Sequence, residues 1–237
     1  MTDLTGKLAL VTGASRGLGY EVAKALAAKG AHVVAVARTV GGLEELDDAI
    51  KAAAEESGNG ETTLVPFDIK DDPGLERLGA AIFQRWAGLD IFVHCAAHAT
   101  PMGPTEHVSD KDLDAAIAVN FRAVQRLIRV IDPLLKQREK AQAVFITAPD
   151  ESGAKFQSAY GAAKSAGEAV ARSYAAENAR KGPRVWLAAP PPMPTAVRGR
   201  FYPGEDQSTL TPCAEPAAAL AAKIIAGGGE PGETVRL

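Results

Sequence analysis

KLALVTGASRGLGYEVAKALAAKG, residues 7–30, joins a short apolar run to a longer amphipathic one through a glycine turn. KLALVT (7–12) reads as a strand. From Gly17 to Lys29, Leu18, Val22 and Leu26 recur at helical spacing, and Gly30 fits a helix stop. The glycines between them, at 13, 17 and 19, follow G-x3-G-x-G rather than the G-x-G-x-x-G of the standard dinucleotide fingerprint. A glycine turn at a helix N-terminus aims backbone N–H groups and the helix dipole at a phosphate. The alternative is a tight strand–helix turn that needs glycine for shape alone. Its place after the first strand of an alternating chain favours nucleotide binding.

The rest of the chain repeats this unit. Strand-like runs at 32–37, 62–67, 90–94, 143–147, 184–189 and 233–237 alternate with helical patterns. The helices are expected at 43–57, 75–87, 109–135, 158–181 and 215–226, with Ser109 or Asp110 as a cap and Pro133 bending or ending the fourth-strand crossover. The strands are continuous apolar runs, as in a parallel sheet buried on both faces. The expected fold class is α/β: a single doubly wound Rossmann-type domain over residues 1–237, with a seven-stranded parallel sheet and helices on both faces. Only 190–214, rich in proline, reads as long and irregular.

Of the 237 residues, 46% are hydrophobic and 23% charged, which suits a sizeable core. The net charge of −3 and scattered basic residues argue against nucleic acid as a partner. No apolar run nears the ~20 residues of a membrane span. Two cysteines, no CxxC pair and no leader-like N-terminus point to the cytoplasm.

The second strand ends Val36, Ala37, Arg38, Thr39, without the carboxylate that would meet the ribose hydroxyls of NAD. Arg38 and Arg16 could clamp a 2′-phosphate, so NADP(H) is favoured over NAD(H); the alternative is two solvated arginines. In SAYGAAKSAGEAV (158–170), small residues surround Tyr160 and Lys164. On a helix these lie on one face, one turn apart, where the ammonium favours the phenolate and makes an acid/base device of the phenol.

Together these features resemble the classical short-chain dehydrogenase/reductase family, along essentially the whole chain. TGxxxGxG is matched by Thr12, Gly13, Gly17 and Gly19, an Asp that meets the adenine by Asp68, a helix Asn by Asn120, and YxxxK by Tyr160 and Lys164. The resemblance implies an NADP(H)-dependent oxidoreductase acting on a carbonyl/secondary-alcohol pair. Tyr160 would exchange the proton, Lys164 would hold the nicotinamide ribose and lower the Tyr pKa, and Asn120 would support a water relaying protons to Lys164. Further cofactor contacts would come from Ser15, Arg16, Leu18, Arg38 and Ile69, from Cys95, Ala96 and Ala97, and from Pro190, Met193 and Thr195. It also implies a homodimer or homotetramer.

The chain departs from the family in several places. Thr147 stands where the family has the Ser that hydrogen-bonds the substrate carbonyl; an alignment shifted by one would put Ala148 there, and Ser152 is a weaker substitute. His94, Cys95, Ala96 and Ala97 replace NNAG, and Pro190-Pro191 replaces Pro-Gly. No metal is expected at His94, Cys95 and His98, which lack a fourth ligand. Asp150 and Glu151, after Pro149, are read as facing water. These departures raise an alternative, a catalytically weak or inactive NADP(H)-binding sensor or scaffold of the same fold.

Overall fold

The computed structural model describes residues 4–57, 60–148, 150 and 152–237, the side chains at 56 and 57 excepted. Seven strands pair in parallel in the order β3-β2-β1-β4-β5-β6-β7. They are β1 (Leu8–Thr12), β2 (His32–Ala37), β3 (Glu61–Pro66), β4 (Ile91–His94), β5 (Gln142–Ile146), β6 (Arg184–Ala189) and β7 (Thr234–Arg236). Because strand side chains alternate, each buried strand feeds two cores. Ala9, Val11, Val33 and Ala35 pack with α1 (Gly17–Ala28), α2 (Val40–Ser57) and α8 (Ala214–Ile225) through Val22, Leu26, Leu46 and Leu220. Leu8, Leu10, Val34, Phe92 and Phe145 pack on the other face with α3 (Asp72–Trp86), α5 (Ala123–Leu135) and α6 (Ser158–Asn178).

Strand order reverses between β1 and β4, and the crevice opens there, at the carboxyl ends of the strands. Thr12 is in register with His94, and Cys95 N–H donates to Thr12 O at 3.2 Å.

Several elements differ from their expected form. β3 lies at the sheet edge, carries Thr62 and Thr63, and is only half-buried, so it lacks the apolar continuity of the inner strands. The 109–135 pattern divides into α4 (Asp110–Ile117), capped by the Ser109 hydroxyl, a π-helical turn over Ala118–Arg122, and α5. Pro133 sits within α5 and does not end it; the irregularity falls instead around Asn120. α6 stops at Asn178, short of 181. The stretch 190–214 holds a helix, α7 (Ala196–Phe201), and a 3-10 turn at Gln207–Thr209. No helix among the described residues is long and apolar enough to cross a membrane.

Candidate active site

The glycine turn brings the chain back against the β4 end. Gly13 has φ +72°, and a Cβ there would meet Ala96 N at 2.8 Å, so a side chain is excluded by both backbone and space. α1 begins at Gly17 without a side-chain cap and without an acidic residue in its first turn. Its leading N–H groups therefore have no competing anion from their own helix, which fits a phosphate. Ser15, Arg16, Gly17, Leu18 and Gly19 line a cavity of about 540 Å³. Arg38, Asp68 and Ile69 line the same cavity, as do Cys95, Ala96 and Ala97. Arg38 is well exposed and reaches Asp68 only at 3.9 Å. The turn, the uncapped helix start and the paired arginines fit a phosphorylated dinucleotide.

Thr12 does not line that cavity. It is buried behind the wall, with its hydroxyl 2.8 Å from His94 Nδ1 and accepting from Ala96 N–H at 3.4 Å. It shapes the wall, rather than touching a cofactor as expected. Burial, aided by the Lys164 charge, holds His94 down at about 3, so the imidazole is neutral. Burial pushes the Cys95 thiol up to about 12. A neutral thiol is a poor nucleophile and ligand. Among the described residues, no group of three or more His, Cys, Asp or Glu could hold a metal ion.

At the other end of the cavity, α6 presents Tyr160 and Lys164 on one face. Both are buried, and the Tyr160 ring stands edge-on to Phe201 at 4.9 Å. Lys164 Nζ donates to Ile146 O at 2.6 Å; burial lowers its pKa, partly offset by the negative charge of Glu168. Thr147 also lines the cavity, and its hydroxyl donates to the Glu168 carboxylate. Asn120 does not line it. Its side-chain amide donates to His98 O at 2.8 Å and its side-chain oxygen accepts from His98 N–H at 2.9 Å, so the carboxamide holds the loop after β4.

The stretch after β6 supplies another side of the site. Pro190, Pro191, Pro192 and Met193 form one wall. Thr195 lines the cavity and also caps α7, accepting from Arg198 N–H at 3.2 Å. Two 2.6 Å bonds clamp Arg198 to Glu205. Ser152 is exposed, accepts from the Ser165 hydroxyl at 3.0 Å, and is not part of the wall. Asp150 meets Arg236 at 3.4 Å, and both line the cavity; Pro149 and Glu151 lie outside the described residues.

The family model described as short chain dehydrogenase matches residues 7–206. The chain belongs to the classical short-chain dehydrogenase/reductase family, a family of oxidoreductases. Among curated relatives, the fatty acyl-CoA reductase of Acinetobacter baylyi is 33% identical over 177 residues, 74% of this chain and 58% of that protein. The ketoacyl reductase HetN of Nostoc is 33% identical over 69% of this chain and 55% of its own length. The chain thus spans little more than half of these two proteins. The oxidoreductase UcpA of Salmonella typhimurium is 29% identical over 91% of this chain and 81% of its own. A short chain dehydrogenase from Pseudomonas syringae superposes with a TM-score of 0.91 at 28% identity, over 98% of this chain and 95% of that one. One from Shigella flexneri, solved with NADP, superposes with a TM-score of 0.88 at 25% identity, over 100% and 99%.

In this short-chain dehydrogenase/reductase the structure therefore gathers most of the sequence-derived residues into one cavity and leaves Thr12 and Asn120 behind its wall. Sequence reasoning missed Glu168. Its signal was present: an acidic residue in a run of Ala, Gly and Ser, one helical turn beyond Lys164.

Proposed function

We propose that this chain is an NADP(H)-dependent oxidoreductase that interconverts a carbonyl compound and its secondary alcohol. The observation that carries this reading is the shared cavity: Tyr160 and Lys164 line one end, the Gly13–Gly19 turn with Arg16 and Arg38 the other. The neighbouring structure solved with NADP supports the cofactor choice. Arg16 and Arg38 would hold the 2′-phosphate, the first turn of α1 the pyrophosphate, and Lys164 the nicotinamide ribose. NADP(H), when bound, supplies or takes the hydride. Tyr160 gives a proton to the carbonyl oxygen, or takes it from the alcohol, with the cationic Lys164 one turn away favouring the phenolate. Ala99, Val197 and Phe201 pack with Tyr160 and make the cavity wall there apolar, which would keep water from the reacting oxygen. The substrate is accordingly a modest, partly apolar carbonyl compound. A cytoplasmic homodimer or homotetramer, each chain a single domain, completes the proposal.

A carbonyl panel with NADPH, followed by loss of its absorbance, tests it. Turnover of at least one carbonyl is expected, with Tyr160→Phe losing at least about a thousandfold in kcat while NADPH affinity stays within about twofold, since the phenol acts on the proton and not on cofactor binding. NADPH binding without oxidation across the panel would favour a cofactor-binding sensor or scaffold, a reading that the engaged Thr147 hydroxyl makes worth testing.

A further inference from the structure

α7 runs along the site from one end to the other. Before its first turn the Thr195 side chain lies 3.5 Å from where a Cβ on Gly17 would stand, against the glycine turn. At its last residue the Phe201 ring packs on the Tyr160 ring at 4.9 Å. Its six residues, about 9 Å of helix at ~1.5 Å each, thus lead from the phosphate end of the cavity to the reacting end. Arg200, the residue before Phe201, belongs to the reacting end. It lines the cavity and is exposed at the rim. Among the described residues it makes no hydrogen bond or ion pair. Its charge is felt inside the crevice by His98, whose pKa is lowered by burial first and then by Arg200 and Arg38.

The other cations of the rim are engaged. Arg198 is held by Glu205 at 2.6 Å, and Arg236 faces Asp150 at 3.4 Å. Arg16 and Arg38 stand at the far end with the glycine turn, where the phosphates of NADP(H) would lie. The described carboxylates on the cavity wall are Asp68, which stands beside Arg38 and Lys70, and Asp150. Neither meets Arg200. Next to it, the wall around Tyr160 is made of Ala99, Val197 and Phe201, which can hold a carbon chain but cannot orient one.

We propose that Arg200 is a specificity-determining residue and that the substrate is an oxo acid, a carbonyl compound with a carboxylate a short carbon chain away. This deepens the reading of Tyr160 as the proton donor and rests on it. Tyr160 would meet the carbonyl oxygen, the apolar wall the chain, and the Arg200 guanidinium the carboxylate through two parallel N–H bonds. A single guanidinium matches the single charge of a carboxylate, whereas a phosphate dianion would leave one charge without a partner.

The test compares 4-oxopentanoate, 5-oxohexanoate and 6-oxoheptanoate with their methyl esters, each with NADPH. The ester keeps the carbonyl and the chain but not the charge. At the best chain length the acid should exceed its ester by about tenfold in kcat/KM, the scale of one charge-assisted contact, and added salt should shrink that advantage. Arg200→Gln should bring the acid/ester ratio to within about twofold of one, with the ester's kcat/KM and NADPH affinity within about twofold of the native values. A ratio near one for all three native pairs, an unchanged ratio in Arg200→Gln, or an equal loss on acid and ester would each overturn the proposal. If neither acids nor esters are turned over, the reading of Tyr160 is what that result challenges. Arg200 is then judged by calorimetric titration of the same compounds into the enzyme–NADPH complex. About tenfold tighter binding of an acid than of its ester, lost in Arg200→Gln, supports the proposal; equal affinities, or no binding of the acids, overturn it.

Discussion

Arg38 and Tyr160 show what a single residue reveals before any coordinates exist. Each announces its chemistry by position: Arg38 by standing where an acidic residue would select NAD, Tyr160 by its spacing from Lys164. The structure puts both on the wall of one cavity. Arg38 is 62% exposed, and its 3.9 Å approach to Asp68 is a weak surface pair, so the guanidinium can turn to a ligand at little cost. Arg38→Asp should weaken NADPH binding by about tenfold to a hundredfold, the scale of one charge-assisted phosphate contact, and leave NADH binding unchanged or improved. Titrating both cofactors into both proteins checks it, and an unchanged NADPH/NADH preference would remove Arg38 from the phosphate site. Thr147 was harder to read. Its residue type says that it can donate, but whether it does depends on Glu168, 21 residues away in sequence. Hydrogen-bond direction is set by the partner, and a motif does not name the partner.

At the scale of elements, periodicity located the helices and strands but not the irregularities that matter. The pattern over 109–135 is apolar at helical spacing throughout, so a π turn inside it leaves no trace in composition. What the turn achieves is visible only in packing: it presses Asn120 O against Gly167 of α6 while the Asn120 side chain grips His98. Pro133 was the visible breaker, yet α5 carries on past it to Leu135. α7 went unread because Thr195 caps only six residues. The close approach at Gly167 predicts a substitution that helix propensity alone would get wrong. Ala is favoured over Gly in a helix by about 1 kcal/mol, but the added methyl would collide with the Asn120 carbonyl, and overpacking of this kind costs about 1–3 kcal/mol. The obstacle is a backbone carbonyl held by the π turn, which puts the cost toward the upper end, so Gly167→Ala should give a net loss of up to about 2 kcal/mol in chemical denaturation. Because Asn120 holds the His98 backbone beside the cofactor wall, NADPH affinity should fall with it. A stabilised variant would mean that α6 and the π turn are less closely packed.

Across the whole molecule, the sheet was the most legible feature, because strands buried on both faces leave long apolar runs; the two edge strands break the rule, β3 with its threonines and β7 with three residues, none of them buried. The same burial that makes the fold readable makes it sensitive to acid at one inner position. His94 ends β4, sits 2% exposed between the Phe92 and Phe145 rings, and contacts Thr12. Burial first, and the Lys164 charge second, hold its pKa at about 3, against 6.5 for an ordinary histidine. Between those two values the unfolded chain takes up a proton that the folded chain refuses, so folding stability is lost as pH falls from about 6.5 toward 3. An asparagine at this place, the residue that the family carries there, is small enough for the site and does not titrate. Between pH 7 and pH 4.5 the native chain should lose about 2.5 kcal/mol more stability than His94→Asn, a little under two pH units' worth at about 1.4 kcal/mol each. Urea denaturation of both proteins at the two pH values measures the difference directly. Other titrating groups are common to both chains and cancel, so equal losses would show that His94 accepts a proton in the folded state and that the end of β4 is open to water.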